Sequence, residues 1–290
     1  MTTKRINIVL FILPTLLLFL IVYGASLIIL CYTSLTQWNI GLKPEYIGLQ
    51  NYISMFTNDK IFKVSLINTL VWILLQSTIH VAIGITLALI LTKKEFYWKF
   101  TRTVFMIPNI ISGAAIGMLF ICILSPEVGA VNNIIRLIGF RDFSVNWFMD
   151  YSTAFFSVTM TWLPYAAVTM ILVLAEIASI PESLFEAAKI DGSSNFQVNM
   201  YITLPMLRNI IGTSVIICAT SMVQKLDIIA VTTGGGPGST TMNLPMYIYR
   251  TALIDNNFGY ANAVGFFLIL LGIIVVLSIQ KIFKMGESNV

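Results

Sequence analysis

The side chains that could carry chemistry are few and far apart. His80 is the single histidine in 290 residues. It lies in an apolar run with no carboxylate or cysteine beside it, so it cannot assemble a metal site, which needs three or four converging ligands. A hydrogen-bonded interior residue is the expected role. Cys31, Cys122 and Cys218 are widely spaced within apolar stretches and offer neither a CxxC ligand pair nor a disulfide framework. Gly234-Gly235-Gly236-Pro237-Gly238 has the glycine density of a phosphate loop, but that chemistry needs a lysine and a hydroxyl directly after the glycines, and here Ser239-Thr240-Thr241 follow. ATP is therefore not expected on this chain. Lys225 and Asp227 are more informative, because each sits near the end of an apolar run. Charges at membrane depth are costly and face a bundle interior or water. On one continuous helix they would point about 200° apart, so at least one is expected to answer to another span or to a ligand.

The elements that position these groups follow from composition. Hydrophobic residues make up 57% of the chain and charged ones 10%, with a mean hydropathy of +0.87. A soluble domain carries about 25% charged residues, so this chain cannot cover itself in water and is read as an integral membrane protein. Soluble enzymes, disordered regulators and secreted disulfide scaffolds are set aside. The net charge of +4 implies no nucleic-acid partner, since the basic residues gather at the ends of apolar runs.

A spanning helix needs about 20 mostly apolar residues. Gaps of that length lie between Arg5 and Lys43, Lys63 and Lys93, Arg102 and Glu127, Asp150 and Glu176, and Asn256 and Lys281. A sixth span runs from about Met206 to Val231 and is interrupted by Arg208, Lys225 and Asp227. The expected fold is all-α, a polytopic membrane protein with six transmembrane helices, forming one transmembrane domain over 1–290. The first run continues to Leu35 without a small-residue cleavage pattern, which disfavours a signal peptide, and Pro14 should kink it rather than end it. A cytoplasmic N-terminus puts ten of the seventeen Lys and Arg inside, including the dense cluster Lys93, Lys94, Lys99 and Arg102. Both termini are then cytoplasmic.

The cytoplasmic loop 176–205 carries the strongest local pattern. Ser179 and Glu182 have capping-box spacing around Pro181, which suits a first helical turn. The helix should run to Ile190 and stop at Gly192, where a left-handed residue ends helices. Ser194 and Gln197, again three apart, start a second helix toward Ile202, and Pro205 opens the fifth span. Ala187 and Ala188 would leave a shallow surface for another protein's groove, with Glu186 and Asp191 offering carboxylates to basic partners.

The longer spacing is more specific. Glu186-Ala187-Ala188, three residues, Gly192, nine residues, Ile202, one residue and Leu204-Pro205 resembles the full EAA loop of membrane subunits of binding-protein-dependent ABC importers. Asp191 and Ile180-Pro181 fit the same pattern. A second segment is similar to the carbohydrate-importer branch that contains the maltose and glycerol-phosphate permeases. It comprises Asp227, Thr233 to Gly238, Tyr247-Ile248-Tyr249-Arg250-Thr251-Ala252 and Phe258-Gly259-Tyr260-Ala261. Asn209 and Ser193 depart from the usual proline and alanine, both small changes at a helix entry.

The resemblance implies one permease half of an ATP-driven carbohydrate importer in a bacterial cytoplasmic membrane, with no catalysis and no cofactor of its own. ATP and Mg would be bound by two partner ATPase subunits, docked on Glu186, Ala187, Ala188, Asp191 and Gly192. A second homologous permease chain would complete a heterodimer, and an extracellular or periplasmic solute-binding protein would deliver the carbohydrate. By family position the substrate path would involve Ser221, Met222, Gln224 and Lys225. Trp162 and Tyr165, flanking Leu163-Pro164, would add aromatic faces for a sugar, with helix packing as their plainer role. The saccharide could be neutral or acidic. The rival reading is an ion-coupled secondary transporter of a small polar solute, which would show broken helices paired in two inverted halves. A membrane enzyme would need clustered His, Asp, Glu or Cys that this inventory lacks.

Overall fold

The computed structural model describes residues 2–92, 96 and 98–285, the first nine of these as backbone alone. Lys93 and Lys94 of the basic cluster lie outside the described residues. The described chain is mostly helical, with one two-stranded antiparallel hairpin pairing Thr36–Gln37 with Glu45–Tyr46.

Among the described residues, four helices are long and apolar enough to cross a membrane: Phe11–Ser34, Lys60–Leu91, Arg208–Thr232 and Phe258–Ile282. Two bent helix pairs raise the number to six if each is one span. The third expected span is such a pair, Trp98–Ile110 and Gly113–Ile123, bent by 108°. Pro108 lies inside its first half, and Ser112 caps the second, its Oγ accepting from the Ala115 N–H at 3.3 Å. The fourth is also interrupted: Ala154–Met160 ends before the Leu163-Pro164 turn, and Ala167–Ile177 resumes the helix. That second half meets the loop helix Glu182–Ile190 at 76°. Pro14 sits within a helix that continues past it, as expected.

The chain forms two compact units. The first comprises residues 1–63 and 247–270. Its outward-facing Leu18 and Ile28 are exposed apolar side chains suited to lipid. Asn51 donates to the Ser34 and Thr36 carbonyls at 2.9 Å, fastening helix Gln50–Thr57 to the end of the first span. The hydroxyls of Tyr247 and Tyr260 both donate to Asp59 Oδ2. Phe56, Phe62 and Phe267 meet edge to face, their centroids 5.5 Å apart.

The second unit comprises residues 64–246 and 271–290. A core of Ala88, Leu91, Ala167, Met170, Val173 and Leu207 joins the second, fourth and fifth spans. Close approach depends on Gly84: a Cβ built there would stand 2.6 Å from Thr169 Cβ and 3.1 Å from the Ala166 carbonyl oxygen. Without water to drive apolar association, small residues at such crossings supply the packing that holds spans together.

Candidate functional site

The second unit encloses a cavity of about 240 Å³ where the helices break. Its polar wall includes Gln76, His80, Asn109, Thr161, Ser221, Lys225 and Asp227; Trp162 and Tyr165 supply aromatic surface. The second span contributes a π-helical turn, Gln76–His80, that places both polar side chains on the cavity. Such turns occur mostly as single insertions and often mark functional sites. His80 Nδ1 bonds the Leu163 carbonyl at 2.8 Å. A carbonyl only accepts, so Nδ1 carries the proton, and the neutral ring leaves Nε2 as an acceptor. The expected hydrogen-bonded interior histidine is therefore present, and it also lines the cavity. Asn109, beside the bend of the third span, donates to the Tyr165 carbonyl at 3.1 Å and ties the two broken spans together.

Lys225 and Asp227 do not share a helix turn. The fifth span breaks between them: helix Arg208–Val223 ends, and Asp227–Thr232 begins a new one. The expected 200° separation on one helix is thus corrected, because the chain leaves helical geometry at residues 224–226. The freed Lys225 carbonyl accepts from Asn243 Nδ2 at 2.6 Å, which satisfies it inside the protein. Asp227 Oδ1 accepts from the Ile228 N–H at 2.9 Å. Its other oxygen rests against Gly113, so closely that a Cβ there would fall 1.8 Å from it. Asp227 therefore lies at two helix starts, its own and that of Gly113–Ile123, where the peptide dipoles favour a negative charge. Among the described residues the Lys225 ammonium makes no hydrogen bond or ion pair.

Of the path residues expected from sequence, Ser221, Lys225, Trp162 and Tyr165 line the cavity. Met222 is buried on another face and Gln224 is exposed at the helix end, and neither lines it. The helix places Ser221 and Met222 on different sides, and the break at 224–226 turns Gln224 away. Trp162 also packs, its ring edge to face with Trp72 at 6.3 Å. Gln76, Asn109 and Gly113 were not anticipated. Pro108 and Ser112-Gly113 were signals for a break in the third span, and a break near a charge is where polar lining should be sought.

The loop helix Glu182–Ile190 starts without a side-chain cap. Ser179 Oγ instead donates to the Glu176 carbonyl at 2.7 Å, closing the preceding helix, so the expected Ser179 to Glu182 box does not form. At the far end Gly192 has φ +75°. The Ser193 N–H donates to the Ala188 carbonyl at 2.9 Å and the Gly192 N–H to the Lys189 carbonyl at 3.2 Å, the paired bonds of a Schellman stop. Ser194 and Gln197 form a reciprocal capping box. Glu186, Ala187, Asp191 and Gly192 are exposed, whereas Ala188 is 6% exposed and faces inward. The shallow surface expected from two alanines is therefore reduced to Ala187, because at 100° per residue a neighbour turns off the exposed stripe.

The comparisons with known proteins agree in kind. Residues 80–285 match the family described as the binding-protein-dependent transport system inner membrane component. The chain is 31% identical over 286 residues to the probable ABC transporter permease protein YurN of Bacillus subtilis (strain 168), covering 97% of each. It is 32% identical over 284 residues to the probable starch degradation products transport system permease protein AmyD of Thermoanaerobacterium thermosulfurigenes, covering 97% of this chain and 94% of that one. A solved chain of a bacterial ABC transporter involved in import of the acidic polysaccharide alginate has the same fold, with a TM-score of 0.85, 24% identity, and coverage of 99% of this chain and 98% of that one. With its four to six candidate spans, broken helices and matching sequence, the chain belongs to the family of inner-membrane components of binding-protein-dependent transport systems.

Proposed function

We propose that this chain is one of two permease halves of an ATP-driven importer that moves a saccharide across a bacterial cytoplasmic membrane. One observation carries the reading. Helix Ala167–Ile177 begins at the cavity wall beside Trp162 and Tyr165 and ends at the exposed loop helix Glu182–Ile190. A push on that loop helix is transmitted to the cavity along one short helix, locked against the second span at Gly84. Two ATPase subunits, carrying ATP and Mg, dock on Glu186, Ala187, Asp191 and Gly192, with Ala188 holding the loop helix inward. Their closure moves this element as a lever and switches the cavity between inward and outward access. Both termini lie in the cytoplasm in this arrangement, which the Lys and Arg bias supports.

The chain supplies binding surface and motion, with no catalysis and no cofactor of its own. A second permease chain completes the cavity. A solute-binding protein delivers the saccharide from outside, as suits a family named for such proteins. Carbohydrate as the substrate class is supported by the starch-product permease at 32% identity and by the aromatic and hydroxyl groups on the wall. The alginate transporter, also solved with a pentasaccharide-bound periplasmic protein, has the same fold. The deciding experiment is saccharide uptake in proteoliposomes with ATPase subunits that bind but cannot hydrolyse ATP. Uptake should vanish. Uptake that persists and follows a proton or sodium gradient would establish the secondary-transporter reading instead.

A further inference from the structure

We infer that the cavity of the second unit is an anion-selecting saccharide subsite, with Lys225 as its charge and Gln76 as its hydroxyl acceptor. The inference rests on the permease reading and narrows its substrate to saccharides that carry an acidic group. Two charged side chains, Lys225 and Asp227, face this space together with His80, Tyr165 and Cys218. Asp227 is held at two helix starts, against Gly113 and on the Ile228 N–H. The Asp227 carboxylate shares the cavity with Lys225 but is held by the Ile228 N–H and not by the ammonium. His80 spends one nitrogen on Leu163 and presents an acceptor with the other.

Lys225 remains as a cation with no hydrogen bond or ion pair among the described residues. Gln76 supplies an independent sign of a missing ligand. Its side chain is only 6% exposed, lines this cavity, and its Oε1 has no hydrogen-bond partner. A buried acceptor without a donor is costly, and a sugar hydroxyl is the kind of donor that satisfies it. An ammonium without an acceptor and an amide oxygen without a donor select for a molecule with both an anionic oxygen and hydroxyls. Charge-assisted hydrogen bonds are roughly twice as strong as neutral ones, so the acidic group dominates the choice.

The test uses the assembled transporter in proteoliposomes, with Cys31, Cys122 and Cys218 replaced by alanine and a single Ser221→Cys on the cavity wall. Labelling rates are compared for anionic sulfonatoethyl and cationic trimethylammonioethyl methanethiosulfonate. The anionic reagent should react faster, and Lys225→Met should cut that preference by about fivefold or more. Lys225→Arg should keep it. Protection of the same cysteine from a neutral reagent is then measured with trigalacturonate and with maltotriose. Trigalacturonate should protect, maltotriose should protect at least about tenfold less well, and Gln76→Leu should weaken protection without altering the charge preference. An unchanged reagent preference in Lys225→Met, equal protection by the two sugars, or no protection by either would overturn the inference. None of these readouts requires ATP-driven uptake, so they fail separately from the permease reading.

Discussion

Gly84→Ala probes the contact through which the cavity and the loop helix are joined. The new methyl would stand 2.6 Å from Thr169 Cβ, 2.7 Å from its Cγ2 and 3.1 Å from the Ala166 carbonyl oxygen. None of these can swing aside: Thr169 is β-branched and fully buried, its hydroxyl pairs with Cys218 Sγ at 3.6 Å, and the third atom is backbone. Overpacking of this kind costs about 1–3 kcal/mol, and a clash with two atoms under 3.0 Å plus backbone belongs at the upper end. Exchanging glycine for alanine inside a helix returns about 1 kcal/mol, leaving a net loss of about 2 kcal/mol. Gly272 in the sixth span is the control, since a methyl there finds nothing nearer than Val223 Cγ1 at 3.8 Å. Gly272→Ala should gain about 1 kcal/mol. The two variants should therefore differ by about 3 kcal/mol, or about 5–10 °C in Tm, in thermal unfolding of the detergent-solubilised protein. Gly84→Ala as stable as Gly272→Ala would refute the claimed close approach of the second and fourth spans.

Ser194→Ala removes a capping box and should cost about 1 kcal/mol, read as faster exchange of the amide hydrogens of residues 195–198. Gly192→Ala forces an L-residue into φ +75° and should destabilise the loop by about 1–2 kcal/mol, while Gly192→Asn should be milder in the same assay. In a cysteine-free background, Ser183→Cys should resist an impermeant reagent in intact cells, while Arg141→Cys in the outer loop should label; the reverse pattern would invert the topology. Burial, and then the hydrogen bond to Asp59, push the Tyr247 hydroxyl well above the usual tyrosine range. Since the folded state holds that proton longer, stability is full below the unfolded value of about 10 and falls as pH rises beyond it. Alkaline unfolding followed by tyrosine absorbance should show less of this decline in Tyr247→Phe.

Much of the helical layout was legible because lipid imposes it. Long uncharged gaps mark spans, and Gly192 and Ser194-Gln197 mark a stop and a start through backbone geometry that their residue types select. The breaks were harder to read. Pro108 and Leu163-Pro164 are visible in sequence, but the size of a bend depends on which neighbours satisfy the freed carbonyls. Here His80 does so for Leu163 and Asn243 for Lys225, from residues 83 and 18 positions away. The same long-range pairing explains why Asp227 was not seen to prefer Gly113 over Lys225. Ser179 shows the local limit: its hydroxyl could cap the helix before it or the one after, and the Glu176 carbonyl lay within reach of the former. Ser221 and Lys225 were found on the cavity, whereas Gln76 carried no sequence signal beyond being polar in an apolar span.

The central claim is that the Glu186 to Gly192 element transmits ATP hydrolysis to the cavity. ATP-driven saccharide uptake by the assembled transporter, carrying Glu186→Lys or Gly192→Pro, tests it most directly, with membrane insertion and ATPase association measured on the same preparations. Proline cannot adopt the φ of +75° at position 192, and lysine reverses the exposed charge at 186. The account predicts inserted permease, weakened ATPase association and uptake reduced to background in both variants. Uptake at the unmodified rate in both, with the ATPase subunits still bound, would contradict it.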